Sequence, residues 1–201
     1  VGDVRVLVGC EFSGIVRDAF LAHGHDAWSC DLLPTERPGP HIQDDILAHL
    51  DEGWDLGVFH PPCTFLTVAA NGWHARRPER QAKREQAFEF FMQLYRAPIA
   101  RVCVENPIGV VSTLFRPADQ IIQPWMFGNE QRKGTCLWMR RLPGILPTKV
   151  VEPEKVKGTS PKGKKYYSMN WLPQSDERWK IRSRTFPGVA AAMAEQWGIL
   201  T

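Results

Sequence analysis

The chain has no Cys-x-x-Cys pair, no Gly-x-Gly-x-x-Gly fingerprint, no low-complexity tract, no internal repeat and no long apolar run. Each absence excludes something. Without paired cysteines a structural zinc site is not expected, and no other metal is implied. Without an apolar run near the roughly 20 residues that a bilayer requires, no membrane span is expected. The five cysteines (Cys10, Cys30, Cys63, Cys103 and Cys136) are widely spaced and odd in number. They do not read as a disulfide framework, and a reducing, cytoplasmic compartment fits them best. All but Cys136 fall within or at the ends of strand-like segments, and for most the plain reading is a small buried hydrophobe. The start, Val1-Gly2-Asp3-Val4-Arg5, runs straight into a strand-like segment. No secretory leader is expected, and the lack of an initial Met suggests a trimmed or recombinant start.

What is present suffices for a packed core. Of the 201 residues, 43% are hydrophobic, which suits one sizeable domain or two small ones. The net charge of +3 is mild but uneven. From Lys149 to Arg184 ten Lys/Arg stand against four Asp/Glu, a local excess of +6. Such a stretch is either a solvated basic loop or the footprint of a polyanion. Tyr166, Tyr167, Trp171 and Trp179 are interleaved with it, a mixture that suits phosphate contacts and base stacking.

Val4 to Val8 is a β-branched run ended by Gly9, followed by Cys10-Glu11-Phe12-Ser13-Gly14 and an apolar helical face over Ile15 to His23. Gly24 is placed to end that helix. This strand, Gly/Ser loop and helix open a nucleotide-type unit in which a glycine lets a ligand approach backbone N–H groups. A second strand, Ala27 to Cys30, ends at Asp31, 17 residues beyond Gly14. An acid there either accepts ribose hydroxyls or serves a turn. Asp44 or Asp45 either caps the helix predicted over Ile46 to Leu50 or faces a cofactor.

The central stretch runs from Asp55 to Thr67. A strand predicted over Trp54 to His60 stops at Pro61-Pro62, which cannot continue a central strand. Cys63 follows at once, presented at the carboxyl edge of a sheet, where open α/β folds bind ligands. Thr67 to Arg80 has no clean period and reads as a mobile loop containing Arg76 and Arg77. Glu79 to Arg96 is predicted as an amphipathic helix with an apolar stripe of Ala87, Phe88, Phe91, Leu94 and Tyr95. Ile99 to Val104 is the next strand and ends at Glu105-Asn106-Pro107. Strands joined by one helix are usually neighbours, so Cys63 and Glu105 are expected to share a pocket. Gln120 to Leu142 reads as β structure with turns, its Gln131-Arg132-Lys133 cluster entering a strand. Val189 to Trp197 reads as a final helix.

A cysteine, a nearby carboxyl group and a nucleotide-like cofactor suit one reaction. Thiolate addition to carbon 6 of cytosine makes carbon 5 an enamine nucleophile for an electrophilic methyl group. A carboxyl group at ring nitrogen 3 stabilises the developing charge. Basic neighbours or backbone N–H groups should lower the thiol pKa. In duplex DNA the base must be flipped out.

On these residues the chain resembles the DNA cytosine-5 methyltransferases, notably the short phage-type members. Phe12-Ser13-Gly14 resembles the motif that holds the methionine part of S-adenosyl-L-methionine. Asp31 resembles the ribose-binding acid, and Asp45-Ile46 the motif whose Asp meets the adenine amino group. Pro61-Pro62-Cys63 resembles the nucleophile loop, Glu105-Asn106 the Glu-Asn-Val motif, and Gly128 with Gln131-Arg132-Lys133 the Gln-x-Arg-x-Arg motif. The helix around Gly188 resembles the last motif, which folds back onto the cofactor site. The similarity covers most of the chain in the family's order. The chain departs from the pattern at Gly14-Ile15-Val16, at Pro107 and at the missing Gly-Asn of the last motif. Only about 40 residues separate Leu142 from that motif, so a full target-recognition domain is absent.

The resemblance implies a Rossmann-like α/β methyltransferase sheet with helices on both faces and a small basic insertion. It implies a catalytic core over 1–142, a minimal DNA-contact segment over 143–181 and a returning helix over 182–201. Cys63, Glu105, Arg132 and Lys133 are then catalytic, with either Arg132 or Lys133 reaching the base. Phe12, Ser13, Gly14, Asp31, Asp45 and Pro61 hold S-adenosyl-L-methionine. Arg76, Arg77, Gln131, Lys162, Lys164, Lys165, Arg182 and Arg184 contact double-stranded DNA of a short recognition context. A monomer is implied, in the host cytoplasm if phage-encoded. Rival readings are a silent DNA-binding module and an enzyme modifying carbon 5 of a cytosine nucleotide. An amino-methyltransferase, whose loop carries an aromatic after Pro-Pro, fits less well.

Overall fold

The computed structural model describes residues 3–67, 78–161, 163, 165–170, 172, 175 and 177–199, with Pro78 and Asn170 described by backbone alone. Arg76, Arg77, Lys162 and Lys164, all expected at DNA, lie outside the described residues, as does most of the loop expected over Thr67 to Arg80.

The strands are β1 (Arg5–Gly9), β2 (Asp26–Cys30), β3 (His41–Ile42), β4 (Leu56–Phe59), β5 (Arg101–Pro107), β6 (Gln120–Ile122), β7 (Thr135–Arg140), β8 (Gly158–Thr159) and β9 (Lys165–Tyr166). The helices are α1 (Ile15–Ala22), α2 (Pro78–Tyr95), α3 (Val111–Leu114), α4 (Arg178–Ser183) and α5 (Pro187–Trp197). β1 to β7 form one seven-stranded sheet in the order β3-β2-β1-β4-β5-β7-β6. The first five strands in that order are parallel, while β7 runs antiparallel to β5 and to β6. This is the Rossmann-like α/β sheet with helices on both faces expected from the sequence.

Both faces are covered, and strand alternation decides which residue goes where. Val6, Val8, Val58, Cys103, Leu137 and Met139 join Phe20 of α1 and Met193 and Trp197 of α5 in one core cluster. Their neighbours Leu7, Phe59, Val102, Val104 and Trp138 turn to the other face and pack with Phe91 and Leu94 of α2. Fully burying each such side chain contributes roughly 1.5–3 kcal/mol. The two large indoles stay satisfied: Trp138 donates to the Arg116 carbonyl at 2.9 Å and Trp197 to the Pro143 carbonyl at 3.0 Å.

Cys136 lies inside β7 and is buried, so it too is a strand cysteine, contrary to the sequence expectation. Among the described residues, no helix is long and apolar enough to cross a membrane. The basic segment carries the small β8–β9 hairpin.

Candidate active site

The sheet changes direction of winding between β1 and β4. In such sheets ligands are taken over the carboxyl ends of the two strands that flank this switch. The loops singled out in the sequence leave from this edge.

The loop after β1 forms the first wall. Gly14 sits at φ 71°, a left-handed geometry that glycine adopts without penalty, and starts α1 with no side-chain cap. Ser13 turns inward: its hydroxyl donates to Glu11 Oε1 at 2.7 Å, and the same oxygen accepts the Val16 N–H at 3.0 Å. Glu11 Oε2 is buried and has no partner among the described residues. The buried Phe12 ring lies 5.7 Å from that of Trp179 on α4. Asp31 accepts the Leu33 N–H at 2.9 Å, and burial raises its pKa against that bond and the nearby His41. Asp45 accepts the Leu47 N–H at 3.0 Å and caps the one-turn 3-10 helix Ile46–His49. Both acids therefore serve turns. The Cys10 thiol pKa is pushed far up, first by burial and then by the neighbouring Asp31, Cys30 and Asp45.

The second wall is the Cys63 loop. The β4–β5 register pairs Phe59 with Val104. The residue opposite Glu105 is thus His60, and its Nδ1 lies 3.3 Å from Glu105 Oε2. Asn106 donates through Nδ2 to the Pro61 carbonyl at 3.0 Å. Past the prolines, the Leu66 and Thr67 N–H groups return to the Cys63 carbonyl at 3.0 and 3.1 Å. The Val110 N–H then binds the Leu66 carbonyl at 2.8 Å. Gly109 makes that approach possible, since a Cβ there would sit 2.1 Å from the Leu66 oxygen. Cys63 is held, half-buried, between the ends of two strands.

The electrostatics correct one expectation. Burial raises the Cys63 thiol pKa, and the Glu105 charge raises it further; Lys133, a backbone N–H and Arg182 oppose this without overcoming it. The thiol is therefore protonated at neutral pH, not pre-ionised. Burial also pushes the Glu105 pKa upward, but the His60 hydrogen bond and charge, Lys133 and the Thr135 hydroxyl outweigh it. Glu105 ends below the ordinary carboxylate value.

Arg132 and Lys133 part company. The Arg132 guanidinium lies over Tyr167 and donates to the Glu154 carbonyl at 3.2 Å, away from the sheet edge. Lys133 lines a cavity with His60, Glu105, Thr135 and Phe186, and its Nζ donates to the Arg182 carbonyl at 2.8 Å. That cavity measures about 20 Å³, room for roughly one water. Residues 182–186 roof it, and Arg184 anchors the roof through bonds of 2.9 and 2.7 Å to Glu36. Gln131 Oε1 is buried without a partner among the described residues, and Lys165 lies in β9.

Three contributors escaped the sequence reading. His60 looked like the last residue of a strand. Glu11 was given no role in the loop after the first strand. Arg17 is wholly buried and donates to Ser29 Oγ at 3.1 Å and to the Arg37 carbonyl at 3.1 Å, fixing the loop after β2.

The fold and the site together define a Rossmann-like α/β protein with a glycine loop, two turn acids and a clamped cysteine on one sheet edge. No protein-family model matches the chain, and no curated protein matches it. Among solved structures it is similar to a protein described as a candidate DNA modification methyltransferase encoded within an E. coli prophage, at 12% identity and a TM-score of 0.47. The match covers 75% of this chain and 52% of the other, so this chain spans about half of that protein's length.

Proposed function

We propose that the chain is a DNA methyltransferase that transfers a methyl group to carbon 5 of cytosine through a covalent adduct at Cys63. One observation carries the reading. The Cys63 loop is pinned by Asn106 to the strand that presents Glu105, and Lys133 acts electrostatically on both groups. A nucleophile, a carboxylate and a cation on one edge are what addition to a pyrimidine ring needs.

Cys63 forms the bond to carbon 6. Its raised pKa means that ionisation accompanies base binding, with Lys133 and Arg182 favouring the thiolate. Glu105 faces ring nitrogen 3 and the exocyclic amine. Lys133, rather than Arg132, is the cation of the site. Asn106 and Gly109 hold the loop in attacking geometry.

The residues on the cofactor side fit S-adenosyl-L-methionine. The unpartnered Glu11 Oε2 calls for a donor, and an amino-acid ammonium group supplies one. Phe12, Ser13, Gly14 and Pro61 would hold the methionine side, and Asp31 and Asp45 the nucleoside side. When bound, the cofactor provides the electrophilic methyl group. Lys165, Arg182 and the basic stretch over 143–181 would grip the DNA backbone, leaving little protein to read sequence, so a short recognition context is expected.

The test is expression in a methylation-free host followed by base-resolution sequencing. Methylation at carbon 5 in a short context, absent with Cys63→Ser, supports the reading. Methylation retained by Cys63→Ser, methylation on an exocyclic amine, or none from the wild type contradicts it.

A further inference from the structure

The pairing in the sheet sets His60 beside Glu105. The imidazole is 6% exposed, its backbone N–H is tied to the Gly9 carbonyl at 3.0 Å, and its Nδ1 lies 3.3 Å from Glu105 Oε2. A carboxylate only accepts, so Nδ1 carries the proton of that bond. The other ring nitrogen, Nε2, is buried and unpartnered among the described residues, yet the ring lines the water-sized cavity. A buried nitrogen left without a partner is uncommon and marks a functional or hydrated position. The same cavity is lined by Glu105 from β5, Lys133 just before β7, Thr135 at its start, Ser183 at the end of α4 and Thr185 beyond it.

Addition to cytosine has a proton requirement that Glu105 alone does not meet. The sulfur lone pair forms the bond to carbon 6, the C5=C6 pair becomes C4=C5, and the C4=N3 pair moves onto nitrogen 3. Nitrogen 3 must then take up a proton. Glu105 is held ionised and has none to give.

We propose, on the reading given above, that His60 supplies this proton: the imidazolium passes it through Nδ1 to Glu105, and Glu105 hands it to nitrogen 3 as the Cys63 sulfur bonds to carbon 6. The imidazole ends neutral, Glu105 ends ionised, and the ring adduct is uncharged. The Cys63 proton leaves to solvent when the base binds; thiolate, carboxylate and imidazolium then together carry one negative charge, and the same single charge remains on Glu105 after the step. When carbon 5 takes the methyl group the C4=N3 bond re-forms and the nitrogen 3 proton returns along the same path; the carbon 5 proton then leaves to water as the C5=C6 bond re-forms and the Cys63 thiolate departs. His60 is thus a positioning and relay residue acting through Glu105.

His60→Asn tests this, because the asparagine amide can still donate to Glu105 but cannot release a proton. Expected are DNA affinity within about threefold of wild type and methylation slower by roughly 100-fold or more. The pH profile of the methylation rate is expected to differ between wild type and variant, because only the wild type carries a titratable ring at this position. A His60→Asn enzyme within about threefold of wild type, with the same pH profile, would overturn the relay. So would equal losses of DNA binding, thermal stability and rate, which indicate a structural role. The NMR signals of the His60 ring add a readout that needs no turnover: Glu105→Gln must move them, and unmoved signals contradict the coupling. A wild type that makes no 5-methylcytosine removes the underlying reading itself. An active wild type indifferent to His60→Asn removes the relay alone.

Discussion

Asn106 donates its side-chain amide to the Pro61 carbonyl at 3.0 Å and so ties the end of β5 to the loop that carries Cys63. Both residues are buried. Asn106→Ala leaves the Pro61 carbonyl unpaired inside the protein. A loss of about 1–3 kcal/mol in unfolding free energy is expected from urea titration. The methylation rate should fall by roughly tenfold or more, because a nucleophile displaced by about 1 Å loses attacking geometry.

Gly109→Ala acts on the same loop from the other side. Its new methyl group would meet the Leu66 carbonyl at 2.1 Å, so backbone must shift. The expected outcome is a lower melting temperature and a lower rate of adduct formation, with cofactor affinity little changed. Isothermal titration and single-turnover kinetics separate the two.

The raised Cys63 pKa has a direct chemical readout. Alkylation of Cys63 in the free protein should be slow at pH 7 and should rise steeply toward alkaline pH. Glu105→Gln removes the negative neighbour that raises the pKa and should speed alkylation. Lys133→Met removes an opposing positive charge and should slow it. Mass-spectrometric timing of single-site labelling reads both, and changes of the same sign in the two variants contradict the electrostatic account.

Glu105 also links pH to stability. Its folded pKa lies below the unfolded value, so its contribution is present above the unfolded pKa and is lost as pH falls through the folded one. Denaturant titrations at falling pH should show this acid loss in the wild type. Glu105→Gln should reduce it, and Lys133→Met should reduce it in part.

How far the sequence discloses all this depends on the kind of interaction. The parallel strands were legible at Val4 to Val8 and Val102 to Val104 because β-branched runs broken by Gly or Pro have few other uses. Cys63 and Glu105 were legible as neighbours because one helix joins their strands. The strand register was not. It makes His60, not Cys63, the residue opposite Glu105, and only the folded sheet fixes that pairing. The fates of Arg132 and Lys133 were equally hidden. They are adjacent in sequence, yet Glu154 and Tyr167, both distant in the chain, draw one away from the sheet edge. The expected low thiol pKa failed because basic residues nearby in sequence say nothing about how deeply burial penalises the charge.

Salt dependence distinguishes the basic residues. Lys165→Ala, if Lys165 meets a phosphate, should reduce the slope of log K against log salt by about 1. Arg184 is already engaged with Glu36 in two hydrogen bonds, so Arg184→Ala should alter that slope less. Fluorescence anisotropy on a short duplex over a range of salt concentrations measures both.

The most direct test of the central claim is incubation of the protein and S-adenosyl-L-methionine with duplex DNA containing 5-fluorocytosine. Fluorine at carbon 5 blocks the final proton loss, so an attacking cysteine stays bonded to carbon 6. The account predicts a denaturant-resistant protein–DNA adduct whose peptide map places the base on Cys63, and no adduct with Cys63→Ser. A wild-type protein that binds this DNA and the cofactor yet forms no adduct, or forms one at another residue, would contradict it.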